Sequence, residues 1–387
     1  MKVLLTANTY YPFQDGVSVI TTYQAEGLVR KGHQVIVLTS ACEGRPEKET
    51  VNGVEIIRDN IRTVHAIHRG GKREYQKRII AWSNEVDVIV NVCTQTARTD
   101  WMVPVLDQIT CPAFLYLHGM TDFSWNKVYL TSVKSVCSKL WNNLRWGWFY
   151  KLQAENFRKY ARVSQLHECD RGNRYFCKKY GIQGEIIGNA ADGLFFEKYE
   201  EKKAEEPYMV CIANYVEGKN QMLCLEAFYR ARLPKEWKLL FVGSSETEYY
   251  RRLIEKKEEL EQKWEQKREI SFLVGVSRKE IASIVAGAEI YLFGSKWEVF
   301  PLSIVEAMAA GVPFISTDAG CVRYLPGGVI VKNAEDMAYW MERFSEEKML
   351  REYMGKMGHI YARRHFQIQD KVDEFEKNLR ELCNKNK

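Results

Sequence analysis

Short apolar runs rich in β-branched residues alternate with amphipathic stretches along almost the whole 387-residue chain. A strand that is buried on both faces reads as a continuous apolar run, so this alternation is typical of parallel β-α units. Two sets of such runs predict an α/β chain with two Rossmann-like domains that face each other. The first set lies at 3–5, 35–38, 54–57, 86–92 and 113–117, and the second at 209–213, 239–242, 271–274, 290–293 and 313–316.

The composition is that of an ordinary globular protein, with 46% hydrophobic and 27% charged residues, which argues against a disordered or fibrous chain. Lys and Arg number 56 against 50 Asp and Glu, and this excess of six is too small to indicate nucleic-acid binding. No apolar run reaches the roughly 18 residues of a spanning helix, and the first residues do not read as a signal peptide. We therefore expect a cytoplasmic protein.

Cysteine and histidine spacing argues against disulfides and structural metal. The ten cysteines are scattered, no two are separated by only two residues, and in the cytosol they would be reduced. His65 and His68 are the one close histidine pair, and no third ligand lies near them in the sequence. We therefore expect no metal site.

One charged stretch is a candidate for the join between the two domains. Residues 200–207 contain no apolar side chain larger than Ala before the proline that ends them. Such a stretch is poorly suited to a core.

The segment with the most chemical information is 294–311. It follows an apolar run, passes through a loop that contains Glu298, and then predicts a helix that begins near Leu302, with Pro301 at its first position. The free backbone N–H groups of such a helix N-terminus suit a diphosphate. Glu306, about one turn into the helix, could bind ribose hydroxyls, and Glu298 could face the group attached to the phosphate. Two acids at this spacing are also compatible with a solvated helix face.

The segment 294–311 resembles the Glu-x7-Glu signature of the retaining glycosyltransferases of family 4, within glycosyltransferase group 1. The resemblance spans nearly the whole chain and implies the GT-B fold, in which two Rossmann-like domains face each other across a cleft. Other stretches are similar to the family pattern in order and spacing: the N-terminal glycine-rich loop at 11–17, the linker at 189–192 with Phe196, the donor-phosphate loop at 214–221 and the later loop at 317–320.

The same resemblance implies the division of the chain. Residues 1–188 would form an acceptor-side domain, and residues 189–369 would form the nucleotide-sugar-binding domain. The C-terminal helix, 370–387, would pack back on the first domain.

The resemblance further implies transfer of a sugar from a nucleotide-diphosphate sugar, most often a UDP-sugar, to an acceptor hydroxyl with retention. The acceptor would be a saccharide or lipid-linked, in surface polysaccharide or glycolipid assembly, and no metal or other cofactor would take part. The implied catalytic residues are Glu298, Lys219, which neutralises the diphosphate, and His118, which follows the run 113–117. The implied donor-binding residues are Gly16, Asn214, Lys219, Phe300, Leu302 and Glu306.

Two departures from the family pattern leave alternatives open. Asn214 stands where the family usually has an arginine, and Asp15 stands where the first glycine is usual. Both favour a degenerate GT-B subunit that binds but does not transfer. A different GT-B enzyme, such as a sugar-phosphate synthase or a phosphorylase, is the other alternative.

Residues 124–163 contain many basic residues, several tryptophans and one acid, Glu155. Val136, Leu140, Leu144 and Trp148 recur every four residues, as on one helix stripe. Basic residues beside interfacial aromatics predict an anionic membrane surface as a partner, with the protein peripheral at the inner face of the membrane. The alternative is a helix whose aromatics pack on their own domain while its lysines stay solvated.

Overall fold

A computed structural model describes residues 1–13, 15–64, 66–120, 123, 125, 127–130, 132–199 and 204–385 of the chain. The chain forms two compact units. Unit 1 comprises Met1–Gly188 together with Gln369–Lys387, and unit 2 comprises Asn189–Ile368. Gln14 and His65 lie outside the described residues, as do Ser124 and residues 200–203.

The elements of unit 1 follow the predicted alternation, with short strands added between them. Its strands are β1 (Lys2–Thr6), β2 (Gln34–Ser40), β3 (Lys48–Val51), β4 (Val54–Asp59), β5 (Arg62–Val64), β6 (Ile67–Arg69), β7 (Val88–Val92), β8 (Ala113–Tyr116), β9 (Arg162–Gln165) and β10 (Glu185–Ile186). Its helices are α1 (Gly16–Arg30), α2 (Lys72–Trp82), α3 (Ala97–Met102), α4 (Val133–Leu152), α5 (Ala154–Phe157) and α6 (Arg171–Tyr180), with 3₁₀ turns at Val103–Gln108 and Lys127–Leu130.

The main sheet of unit 1 has the order β10-β9-β8-β7-β1-β2-β4-β3 and is parallel except for β3, which is antiparallel to β4. The central strand β7 is buried along its whole length, as expected of a parallel strand covered on both faces. Each of the five apolar runs predicted for this half overlaps a strand. The β5–β6 hairpin was not predicted, because its strands are short and mostly polar.

Unit 2 begins with α7 (Gly193–Glu197), and its strands and helices then alternate regularly. The strands are β11 (Tyr208–Ile212), β12 (Lys238–Gly243), β13 (Ile270–Val274), β14 (Ile290–Phe293), β15 (Phe314–Thr317) and β16 (Gly328–Val331). The helices are α8 (Gln221–Arg230), α9 (Glu248–Trp264), α10 (Arg278–Gly287), α11 (Leu302–Ala309), α12 (Ala334–Glu346) and α13 (Lys348–His365), with a 3₁₀ turn at Val322–Tyr324.

The sheet of unit 2 is parallel throughout and has the order β13-β12-β11-β14-β15-β16. Numbered within the unit, this is the order 3-2-1-4-5-6 of a doubly wound dinucleotide-binding fold. The strand order reverses between β11 and β14, and ligands of such sheets bind outside the carboxyl ends of the strands at this point. The topology therefore indicates a ligand site at the loops after β11 and β14.

The last helix, α14 (Ile368–Lys385), packs on unit 1. Phe375 lies against the rings of Phe114 and Tyr116, at centroid distances of 5.8 and 5.0 Å. Glu376 is bonded to Lys31 and His33 of unit 1, at 2.8 and 2.7 Å. Burial disfavours ionisation of Glu376, but hydrogen bonds from these partners and from Arg380 outweigh it and lower the pKa of Glu376 to about 2.

The charged stretch at 200–207 does not separate the two units, which divide after Gly188. Phe195, which precedes the stretch, is fully buried, and Tyr199 stacks on His359 at a centroid distance of 3.6 Å. The prediction of a join at 200–207 was therefore wrong, because a charged stretch can follow a helix that packs inside its own domain.

The long helix of the segment 124–163 is α4, and it has two contrasting faces. Trp146 and Tyr150 are buried in the core of unit 1. The opposite face exposes an apolar stripe, with Leu144 at 63% and Trp148 at 66% exposure. We define the α4 stripe as Leu140, Trp141, Leu144, Trp148 and Leu152, all of which are exposed.

The basic residues of this segment are less available than the sequence indicated. Lys139 is only 3% exposed, and its Nζ lies 4.5 Å from the centre of the Tyr129 ring. Ion pairs occupy three others, in the pairs Arg158–Glu155, Lys159–Asp107 and Arg162–Glu381. Exposed apolar side chains therefore dominate the outer face of α4. None of the described helices is long and apolar enough to cross a membrane.

Candidate functional site

The candidate site of unit 2 is formed by the loops that follow β11 and β14. Two hydrogen bonds to backbone carbonyls join these loops, from Lys296 N to the Gly218 carbonyl (2.9 Å) and from Asn220 Nδ2 to the Gly294 carbonyl (3.1 Å). Asn220 adopts a left-handed conformation with φ of 51°, which Asn tolerates better than most residues. The two loops are thus held as one structure at the switch point of the sheet.

Close backbone contacts at two positions require glycine. A Cβ on Gly294 would lie 2.6 Å from the Asn220 carbonyl oxygen, and a Cβ on Gly320 would lie 2.4 Å from that of Val299. Gly320 also has φ of +66°. These contacts fix the path of the loop that contains Glu298.

Lys219 and Glu298 form a salt bridge across the two loops. The Lys219 Nζ lies 2.5 Å from Glu298 Oε1, and the side chains are 32% and 15% exposed. Their closeness was not predicted, because the two residues are 79 positions apart. The pair places one cation and one carboxylate, both accessible, beside the start of α11.

The N-terminus of α11 has no side-chain cap. Pro301 is the N-cap residue rather than the first helical residue, so that part of the prediction was one position off, and Leu302 begins the helix as expected. No acidic residue lies in the first turn, and the first amide groups therefore point out of the helix without a carboxylate to meet them. Such an end favours an anionic ligand.

Phe300 contributes to the loop through its backbone and a buried ring. Its carbonyl accepts a hydrogen bond of 2.8 Å from Asn189 Nδ2, and its ring meets Phe366 at 5.7 Å. Asn214 is exposed, and its carbonyl accepts a hydrogen bond from Gln221 Nε2 at 3.1 Å.

Glu306 is almost fully buried and is paired with Arg278, the first residue of α10. The Arg278 Nε also lies 3.7 Å from Asp192 Oδ2, and the guanidinium lies over the Phe195 ring. Burial raises the pKa of Glu306, the Arg278 charge opposes the rise, and Asp192 adds to it. The arrangement fixes Glu306 Oε1 on Arg278, whereas no described residue forms a hydrogen bond with Oε2.

The predicted site residues of unit 1 lie at the carboxyl edge of its own sheet. Gly16 is the first residue of α1, and Asp15 caps that helix by accepting a hydrogen bond from Ser18 N at 3.1 Å. Asp15 therefore has a structural role that the sequence pattern did not reveal. His118 lies two residues after β8 ends, and its ring contacts Tyr116.

The two ring nitrogens of His118 are shielded from water, and neither has a hydrogen-bond partner among the described residues. Burial lowers the pKa of His118 to about 3. The imidazole is therefore neutral near pH 7 and could only act as a neutral hydrogen-bonding group.

Unit 2 thus brings together Lys219 and Glu298 directly, beside the loop that contains Phe300 and Leu302. Sequence reasoning missed Arg278 and Asp192 as partners of the buried Glu306. Ser277 and Glu280 form a capping box that is readable from the sequence, but it indicates only that a helix begins there. Across the described ranges, no cluster of three or more His, Cys, Asp or Glu side chains could hold a metal ion.

Residues 194–359 match the family model described as glycosyl transferases group 1. The matched range contains Lys219, Glu298, Arg278 and Glu306. No curated protein sequence matches the chain.

Solved structures resemble the chain over nearly its full length. A glycosyltransferase from Rickettsia africae ESF-5 has a TM-score of 0.73 at 13% identity, with 98% of each chain covered. The chain has the GT-B fold. This two-domain α/β GT-B fold, with its parallel sheets, confirms the predicted fold class.

Two further solved structures share this GT-B likeness. Sucrose-phosphate synthase from Thermosynechococcus elongatus has a TM-score of 0.71 at 15% identity, with 98% of each chain covered. Anabaena HepE, solved in complex with UDP-glucose, has a TM-score of 0.70 at 13% identity, covering 98% of this chain and 100% of that one.

Proposed function

We propose that the chain is a retaining glycosyltransferase that transfers a sugar from a UDP-sugar to an acceptor hydroxyl. The observation that carries this proposal is the Lys219–Glu298 pair beside the uncapped start of α11, at the switch point of a doubly wound sheet. The match of residues 194–359 to glycosyl transferases group 1 and the UDP-glucose complex of HepE support the donor class.

In this proposal unit 2 holds the donor. Lys219 and the α11 amides, beginning at Leu302, stabilise the negative charge on the leaving diphosphate, without a metal ion. The acceptor oxygen bonds to the anomeric carbon as the bond from that carbon to the diphosphate breaks, and the hydroxyl proton passes to the leaving diphosphate. Glu298 contacts the transferred sugar, and Gly16, Asn214 and Phe300 approach the donor mainly through backbone groups.

Residues 1–188 would serve the acceptor side. His118 is neutral and has no hydrogen-bond partner among the described residues. It would bond to a hydroxyl of the transferred sugar, which would satisfy its buried nitrogens. A saccharide or lipid-linked acceptor would connect the activity to surface polysaccharide or glycolipid assembly.

The test is incubation of the purified protein with a panel of nucleotide sugars and candidate acceptors. Mass spectrometry should detect a glycosylated product and release of UDP, and NMR of the product should show the donor's anomeric configuration. An inverted product would refute retention. Binding of nucleotide sugars without transfer to any acceptor would instead support the degenerate GT-B subunit, which the neutral Asn214 favours. The likeness to sucrose-phosphate synthase makes phosphorylated sugars an essential part of the acceptor panel.

Glu306 should bind the ribose through Oε2, to which no residue in the described part of the chain forms a hydrogen bond. We expect Glu306→Gln to weaken UDP and uridine to the same extent, by about 1–3 kcal/mol, because the two ligands share the ribose. Arg278→Met is the matched variant, since it breaks the same ion pair but leaves the carboxylate. Calorimetric titration should show a loss of affinity in Glu306→Gln that is larger than in Arg278→Met. Equal losses in the two variants would mean that Glu306 acts only through the ion pair.

Membrane attachment through the α4 stripe is the localisation that we propose, at the inner face of the membrane. Leu and Trp side chains that are more than half exposed gain from burial at the lipid interface, and each nearby Lys or Arg adds about 1 kcal/mol on an anionic surface. Lys134 and Lys151 of α4 are exposed and make no ion pair with a described residue.

We expect the protein to co-sediment with phosphatidylglycerol vesicles, and Leu144→Glu with Trp148→Glu to abolish this binding. The matched control is Met349→Glu with Tyr353→Glu, which changes two exposed side chains of α13 and should bind normally. Wild-type protein that stays in the supernatant at low salt would refute membrane attachment. A concentration-dependent dimer that the α4 variant abolishes would identify the stripe as a protein contact instead.

A further inference from the structure

Five exposed basic residues lie close together in the chain on the β5–β6 hairpin and in the first turns of α2. We call them the basic cluster: Arg62, Arg69, Lys72, Arg73 and Lys77. None of them forms an ion pair with a residue that the structure describes. Exposed cations are ordinary, but five of them close together without an ion pair to any described residue need a physical explanation.

The fold places two of these charges directly opposite each other. Arg62 and Arg69 are register partners in the antiparallel hairpin, on the face opposite to Thr63 and His68. Like charges at opposed positions destabilise a strand pair. Lys72 and Arg73 lie in the first turn of α2, where cations oppose the helix dipole. Neither arrangement helps the protein to fold.

The nearby acids do not neutralise the cluster. Asp59 is bonded to Arg78 and Arg98, and Asp100 is bonded to His68 at 2.9 Å. Glu74 is the acid in the first turn of α2, forms no ion pair with a described residue, and offsets only one of the five positive charges. The hairpin and the start of α2 therefore present a concentrated positive potential.

The hairpin that presents the arginines is firmly anchored from its inner face. His68 Nδ1 lies 3.0 Å from Thr63 Oγ1, which also accepts a hydrogen bond of 2.8 Å from Ala97 N. The His68 ring packs against Trp101 and against Trp146 of α4. Because the hairpin is rigid, less conformational entropy is lost when a ligand binds and orders the arginine side chains.

We propose that the basic cluster binds the phosphate group of an anionic acceptor. The hairpin follows β4 at the carboxyl edge of the unit 1 sheet, where ligands of α/β sheets bind, and arginine pairs suit the oxygen geometry of phosphate. The identification of the ligand as an acceptor rests on the proposed function, but the anion site itself does not depend on sugar transfer. The ligand chemistry is a phosphate ester, either free or at the headgroup of a lipid.

The experiment compares wild-type protein, Arg62→Gln with Arg69→Gln, and the control Lys178→Gln with Lys179→Gln. The control removes the same charge from two exposed lysines of α6 in the same unit. One arm titrates glycerol 3-phosphate calorimetrically in the presence of saturating UDP. The second arm measures co-sedimentation with phosphatidylcholine vesicles that contain phosphatidic acid, against phosphatidylcholine alone.

We expect the arginine variant to bind at least about tenfold more weakly than wild type in one or both arms, and the control to change less than about twofold. Loss in both arms means that a soluble phosphate ester suffices, and loss only with vesicles identifies a lipid phosphate. The arginine variant should keep its UDP affinity and should melt at the same or a higher temperature, because the repulsion is gone. A variant with unchanged phosphate binding, an equal loss in the control, or no binding of either probe by wild type would overturn the proposal. Absence of UDP binding or of transfer in the wild-type protein would count against the proposed function alone.

Discussion

Replacement of Lys219 by alanine should weaken UDP binding by about 2 kcal/mol, or roughly 30-fold, while uridine binding changes little. The charged group that Lys219 is proposed to meet is the diphosphate, which uridine lacks. The loss has a second source, because Lys219→Ala leaves Glu298 without its partner at 2.5 Å, and the freed carboxylate then repels the diphosphate. Calorimetric titration of the two ligands measures the difference.

Lys296→Ala is the matched control for this prediction. Lys296 is on the loop after β14, and like Lys219 it is paired with a glutamate of the other loop, Glu217 at 3.2 Å. If Lys219 acts by direct contact with the diphosphate, Lys296→Ala should lower the affinity for UDP less than about threefold. Raised salt should reduce the effects of both substitutions on UDP affinity. Equal losses of UDP affinity in Lys219→Ala and Lys296→Ala would mean that Lys219 acts only through the positive electrostatic potential of the two loops, and not by direct contact.

The fold was predictable from the sequence because parallel strands covered on both faces must be apolar along their whole length. The runs at 209–213 and 290–293, for example, coincide closely with β11 and β14. The start of a helix was also predictable where a local residue determines it. Helix α11, for example, begins at Leu302, directly after a proline. The hairpin of β5 and β6 escaped prediction because its pattern is too short to display a period.

The partners within the candidate site were not predictable in the same way. The sequence indicated Glu306, but nothing indicated that Arg278 would meet it, since the two belong to different β-α units. Lys139 was expected on a basic surface, yet its stem is buried and its ammonium lies over the Tyr129 ring. Contacts between side chains from different units depend on how the elements pack, and no local pattern contains that information.

Replacement of Glu298 by glutamine should lower kcat for transfer by roughly 100-fold, which corresponds to about 2.7 kcal/mol of transition-state stabilisation. Glutamine keeps the size of the side chain but loses its charge, so the effect would report the interaction of the carboxylate with the transferred sugar. UDP affinity should move in the opposite direction from that of Lys219→Ala. With the carboxylate gone, Lys219 has lost the partner that competes with the diphosphate, and UDP should bind as tightly as before or more tightly.

Glu217→Gln is the control for this second prediction, because it neutralises a neighbouring carboxylate that is also paired with a lysine. It should leave both kcat and UDP affinity within about twofold of wild type. Steady-state kinetics of UDP release and calorimetry together separate two cases. A fall in kcat with retained UDP affinity supports contact between Glu298 and the sugar. If Glu298→Gln instead loses UDP affinity as Lys219→Ala does, the ion pair only holds the two loops together, because either half of it would then be equally necessary for binding.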